Sequence, residues 1–214
     1  MRNVAKDEKE MAARREAMLR EGFRLFAKKG IEPVTMQEVA NACGVGIATL
    51  YRYYNAKPLL VIDIATKKWE EFAEYVNLEQ IRRNVKSMNA AENLEFYLDF
   101  YIELYKNHKD MLRFNQNFNN YVMHERIPAE QLAPYLRAIG NFAGMFHNVY
   151  EKGKRDGTIR TDLPEEKMFA STSHIMLAVA VRYAQGLLYA AKNEGDSEEE
   201  YTLLKRMIMR EYVI

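Results

Sequence analysis

A single cysteine, Cys43, stands in the 214 residues. It excludes an internal disulfide framework and fits a reducing compartment. Five prolines and ten glycines are few, while Ala, Leu, Met, Glu, Lys and Arg abound, so the composition predicts helix. Long hydrophobic runs are missing as well. The best of them, Ile175 to Val181, is ended by Arg182, far short of the ~20 residues a membrane span needs. Residues 1–20 are charged throughout and hold no apolar export signal. These absences predict a cytoplasmic protein with no membrane partner. Histidine is scarce too. His108, His124, His147 and His174 are separated by 16, 23 and 27 residues, so no pair has the i, i+4 spacing of a helical metal site. No phosphate loop, nucleophile elbow or cysteine cluster occurs. The expectation is therefore no enzyme, no catalytic residue, no metal and no cofactor. A site made by the fold from His147, His174 and a carboxylate is the one weak exception.

Hydrophobic residues make up 48% and charged ones 29%, enough for a sizeable globular core. Net charge is +1, but it is unevenly placed. Residues 1–57 hold 11 Lys/Arg and 7 Asp/Glu, a net of +4, and the remainder 20 and 23, a net of −3. A basic head on an acidic body points the head at an anionic partner.

The pattern reads helical nearly everywhere, with no repeat and no strand. A first helix is predicted from about Lys9 to Lys29, ended by Gly30 and Glu32-Pro33. Thr35 with Glu38 is a capping box opening a second, MQEVANAC. Gly44 breaks it, and a third runs from Gly46 to about Tyr53. Asn55 and Pro58 open a fourth that ends near Val76, followed by a polar bridge over 77–90. Further helices are predicted over 91–107, 111–125, 128–157 and from Leu163-Pro164 to about Ala191. Ser197 with Glu200 marks a capping box before the last, which lines up Tyr201, Leu204, Met207 and Ile208.

The second and third helices, joined by a glycine-containing turn, make a helix-turn-helix candidate. Val39, Ala40, Val45 and Leu50 supply its small core. Thr35, Thr49, Tyr51, Tyr53 and Lys57 offer hydroxyls and an ammonium suited to phosphate oxygens. The stretch TMQEVANACGVGIATLYRYYNAK, preceded by GFRLFAKKG, resembles the DNA-binding head of the TetR family of one-component transcriptional regulators. Its members typically read T-x-x-x-I-A-x-x-A-G-V-S-x-G-T-L-Y-x-Y-F-x-x-K. The resemblance runs in register over residues 15–62, and GTIRTDLP at 157–164 is also a phrase common in that family. It implies that Thr35 caps the second helix and touches phosphate. It also implies that Thr49, Tyr51 and Tyr53 face DNA, with Tyr51 nearest the bases, and that Lys57 reaches a phosphate.

The chain departs from the family where a serine usually caps the recognition helix. Gly46 stands there, followed by Ile47-Ala48. Glycine at an N-cap loses only a few tenths of a kcal/mol against serine, and bare N–H groups approach a phosphate closely. Gly46, Ile47 and Ala48 offer no bidentate donor to guanine or adenine. The helix is expected to read thymine methyls by apolar contact, lean on Tyr51 and Arg52, and draw specificity partly from DNA shape. Arg14, Arg15 and Arg20 are further phosphate candidates, weighed evenly against a solvated face. Cys43 reads as a packing residue rather than a redox sensor.

The fold expected is all-α. It has an N-terminal helix-turn-helix head at 1–57 and a long fourth helix leading into a C-terminal helical-bundle body at 58–214 for ligand binding and dimerisation. Trp69, Phe100, Tyr101, Phe114, Phe118, Phe142, Phe146, His147 and His174 are candidate effector contacts, although an aromatic in a bundle is first of all core. The asparagines among residues 115–120 either meet a ligand or face water. The resemblance implies a repressor that releases a palindromic double-stranded DNA operator when a small molecule fills the body, and a homodimer through the last two helices. A helical protein–protein adaptor without DNA binding is the alternative.

Overall fold

The computed structural model describes residues 4–186 and 196–214. Among them lie nine α-helices: α1 (Val4–Lys29), α2 (Met36–Ala42), α3 (Ile47–Tyr53), α4 (Lys57–Arg82), α5 (Ala90–Asn107), α6 (Lys109–Glu125), α7 (Ala133–Asp156), α8 (Glu165–Gln185) and α9 (Asp196–Tyr212). The only pairing of β type among the described residues is an isolated bridge between Ile159 and Val213. The all-α reading holds, with shifts at the edges. Helix α4 runs through the first part of the stretch read as a polar bridge, and a short 3-10 turn, Val85–Ser87, occupies part of the rest. Residues 128–132 lie outside α7, which opens at Ala133. Ser197 sits inside α9 rather than at its cap. The expected continuation of α8 toward Ala191 falls outside the described residues.

The chain divides into two compact units, residues 1–69 with 113–136, and 70–112 with 137–214. The packing boundary therefore falls within α4, beyond residue 57, and the first unit takes in most of α6.

In the first unit, Met18, Leu19 and Phe26 of α1, Met36, Val39 and Ala40 of α2, Leu50 of α3 and Leu60, Val61 and Ile64 of α4 form one core, joined by Phe114, Phe118 and Tyr121 of α6. Gly22 lets α1 approach α4, since a Cβ there would stand 2.8 Å from Cδ1 of Ile64. A polar node braces the same pair. Arg15 Nη2 donates to both carboxylate oxygens of Asp63 at 2.7 and 2.8 Å, and the Tyr54 hydroxyl donates to Oδ2 of that carboxylate. Burial, then this hydrogen bond, pushes the Tyr54 phenol well above its usual value.

In the second unit, α5 packs against α8 and α9. Lys205 of α9 pairs with Asp99 at 2.6 Å and Glu95 at 2.9 Å on α5. The stripe expected on α9 turns inward. Tyr201 is fully buried and donates to the Met176 carbonyl at 2.7 Å, and Ile208 is buried as well. Met207, exposed at 58%, instead shares the outer surface with Leu203, while Ile175 is exposed on α8.

Candidate nucleic-acid interface

The helix-turn-helix is built from local signals. Thr35 Oγ1 accepts the Glu38 N–H at 3.2 Å, and the Glu38 carboxylate accepts the Thr35 N–H at 2.8 Å, closing the expected capping box. Lys29 adds a 2.9 Å bond to the same carboxylate. The Thr35 N–H, followed by Lys29, draws the Glu38 pKa down to about 2. Helix α2 ends at Cys43, and the chain turns through Gly44 at φ +66°, a left-handed conformation that glycine adopts without strain. Val45 N–H then donates to the Ala40 carbonyl at 3.0 Å, fixing the turn. The Cys43 thiol lies 3.6 Å from the Ala17 carbonyl and burial raises its pKa, in keeping with a packing role.

Helix α3 starts from Gly46 at φ −68° with no side-chain cap. Helical phase then sorts its residues. Leu50 is fully buried, and Ile47 and Tyr53 pack partly against the core. Gly46, Ala48, Tyr51 and Arg52 are exposed, Tyr51 at 47%, and Thr49 is half-buried. The apolar reading surface expected from Ile47 is thus largely spent on the head core, three residues from Leu50 on the same face. What stands outward is a small residue, a phenol and a guanidinium.

Lys57 also departs from expectation. Its ammonium donates to the Glu32 carbonyl at 3.1 Å and lies over the rings of Tyr121 at 5.6 Å and Phe26 at 6.0 Å. Burial lowers its pKa against the pull of Glu32 and two other carboxylates. In this arrangement it ties the turn after α1 to the start of α4. Of the arginines on α1, Arg15 belongs to the Asp63 node, Arg14 pairs with Glu10, and Arg20 and Arg24 share Glu21. Thr35 is exposed beside the motif.

The candidate effector residues scatter. Trp69, Phe114 and Phe118 belong to the first unit. Trp69 Nε1 donates to Asn115 Oδ1 at 3.2 Å, and the Tyr135 hydroxyl does so at 3.3 Å. Asn115 is therefore a satisfied core amide, while Asn119 and Asn120 are exposed. In the second unit Phe146 is fully buried between Tyr97 and Phe169, and Phe142 stacks on Phe72 at 5.9 Å. Tyr101 donates to Ser173 Oγ at 2.9 Å, with burial raising its pKa. His174 is exposed. Phe100 alone of the nine lines the open cavity of about 580 Å³ that α4, α5, α7 and the turn at 84–86 border. The other lining residues lie outside the expected set of effector contacts and carry no motif.

His147 is exposed and meets Glu165 at 3.0 Å. With Glu151 these two place three ligand atoms within 4.8 Å of one another, a group that could hold a cation. The i, i+4 spacing of His147 and Glu151 was legible, whereas Glu165 comes from the next helix, and His174 takes no part. Among the described residues no helix is long and apolar enough to cross a membrane.

Comparison with known proteins agrees with this geometry. Residues 18–64 match the family described as bacterial regulatory proteins, tetR family. The chain is 25% identical over 167 residues to the HTH-type transcriptional repressor KstR2 of Rhodococcus jostii, covering 77% of each chain. It is 24% identical over 102 residues to the uncharacterized HTH-type transcriptional regulator YerO of Bacillus subtilis, covering 48% of this chain but only 35% of that one. Its fold is similar to that of the regulator FadR from Bacillus subtilis in complex with stearoyl-CoA, with a TM-score of 0.70 at 13% identity over 92% of this chain and 98% of that one.

Proposed function

We propose, from the match of residues 18–64 to the tetR family of bacterial regulatory proteins, that the chain is a ligand-responsive repressor of that family rather than a constitutive DNA binder. It acts in the cytoplasm as a homodimer on a palindromic operator. Residues 1–57 form the DNA-binding part and residues 58–214 the effector-binding and dimerising part.

One observation carries the reading. The outward face of α3, with Ala48, Tyr51 and Arg52, is left free by a head whose other face is fixed by Leu50, the capping box and the Asp63 node. A rigid helix with a small residue at its leading edge enters a major groove closely. Tyr51 then meets the bases, Ala48 lies against thymine methyls, and Arg52 and the hydroxyls of Thr35 and Thr49 hold phosphates. Ile175, Leu203 and Met207 supply apolar surface on α8 and α9 for pairing with a second copy.

DNA sets the separation of two such recognition helices at about 34–36 Å. A small molecule in the body need shift the equilibrium by only ~1–3 kcal/mol to change operator affinity five- to 150-fold, provided it binds the two states unequally. KstR2 is named a repressor and FadR is seen with stearoyl-CoA, which supports both halves of this reading.

Fluorescence anisotropy of the full chain against DNA upstream of its own gene, over a salt series, is the test. Palindrome-dependent binding that weakens steeply with salt, and that Tyr51→Ala impairs, is the expected result. Binding no stronger than to random DNA, unchanged after bound small molecules are stripped, would favour the adaptor instead.

A further inference from the structure

The cavity of the second unit has two ends of different character. One is cationic. Lys152 donates to the carbonyls of Val85, Lys86 and Met88 at 3.3, 3.3 and 2.7 Å, pinning the turn that carries Lys86 against the end of α7. The N-terminus of α5 is bound to the same place, through Ala90 N–H to Asp156 at 2.8 Å and Ala91 N–H to Thr158 at 3.1 Å. Lys86, Lys152 and Arg155 therefore gather at one end of the cavity. Glu151, the one acid in the lining, is already held by Lys154 at 2.6 Å. Lys86 and Arg155 are exposed, and among the described residues neither has a carboxylate within ion-pair distance.

From that end α5 leads inward. Asn93, one turn into the helix, lines the cavity and is only 5% exposed, yet its Oδ1 is fully buried with no hydrogen-bond partner. A buried amide oxygen without a donor is costly, and native proteins seldom leave one unsatisfied. Beyond it the lining is apolar, with Tyr97 and Phe100 further along α5 and Met145 and Val149 on α7. Asn93 and Phe100 are about 10 Å apart along the helix axis at 1.5 Å per residue, room for a chain rather than a compact ion.

We propose that this cavity takes a single-chain amphipathic carboxylate bearing a hydroxyl close to its head. The carboxylate lies at Lys86 and Arg155, the hydroxyl donates to Asn93 Oδ1, and the hydrocarbon runs along Tyr97, Phe100, Met145 and Val149. The proposal deepens the reading of the second unit as the effector-binding body and rests on it.

The test is calorimetric titration of the full chain with β-hydroxydodecanoate, dodecanoate and dodecanol, each below its aggregation concentration. The hydroxy acid should bind once per chain, about tenfold more tightly than dodecanoate, a difference of about 1.4 kcal/mol. Asn93→Leu should erase that preference. Lys86→Ala with Arg155→Ala, both at exposed positions, should weaken the two acids and leave dodecanol unchanged. Equal affinity for the three probes, a preference that survives Asn93→Leu, or no binding at all would overturn the assignment. Operator anisotropy measured alongside separates the two readings. DNA binding in a protein that takes none of the probes leaves the regulator standing without this ligand class. The expected binding pattern with no effect on a DNA complex leaves the ligand class and removes effector-driven release.

Discussion

Helices α2 and α3 are each seven residues long, and their N-termini are built in opposite ways. Thr35 and Glu38 close a reciprocal box on α2, reinforced by Lys29. Gly46 leaves α3 without a side-chain cap. The helix that supports is held by its own side chains, and the helix that reads is held only by what lies beneath it. An uncapped tip leaves its N–H groups for another acceptor. The burden of keeping α3 in place then falls on Leu50, helped by Ile47 and by Tyr54 just past its end.

Breaking that support should have the largest effect. Leu50→Ala is expected to destabilise the protein by about 3 kcal/mol, the usual cost of a buried Leu→Ala truncation, read as a drop in the urea midpoint. An unchanged midpoint would mean that α3 is anchored elsewhere. Gly44→Ala, in the turn between the two helices, should cost about 1–2 kcal/mol from the left-handed backbone alone, because a Cβ there meets nothing within 4 Å. Gly44→Asn should recover part of it in the same thermal melt.

Removing the cap from α2 comes next. Thr35→Ala should cost about 1 kcal/mol. The companion pH experiment has a definite sign. Folding lowers the Glu38 pKa from 4.5 to about 2, so its contribution is full above 4.5 and is lost as pH falls through about 2. The stability difference between the wild type and Glu38→Gln should hold from neutral pH to 4.5 and shrink below it. Smallest of all, Gly46→Ser should add the missing cap to α3. Its φ of −68° suits any residue and the space is open, so a gain of a few tenths of a kcal/mol is expected. A loss would show that the bare tip matters to the fold itself.

The same contrast explains what was legible. In the head, signals are local: Thr35 with Glu38, Gly30 before Glu32-Pro33, and Gly44 in the turn each fix a boundary within a few residues. Tyr51 and Arg52 were found on the outer face. The three-residue step from Ile47 to Leu50 already marked the partly inward packing of Ile47, whereas the contact of Lys57 with Tyr121 joins residues distant in sequence. In the body the decisive partners are nearly all distant. Nothing near Asn115 announces that Trp69 and Tyr135 will satisfy it, and nothing near Asn93 announces that its oxygen will go without. Aromatic content marked the bundle and did not say which rings would border a void.

The shared carboxylate of Asp63 works as a pawl. A slip of α4 by one residue, about 100° and 1.5 Å, would carry it away from both the guanidinium on α1 and the phenol that follows α3. One carboxylate thus holds two bonds that such a slip would break together.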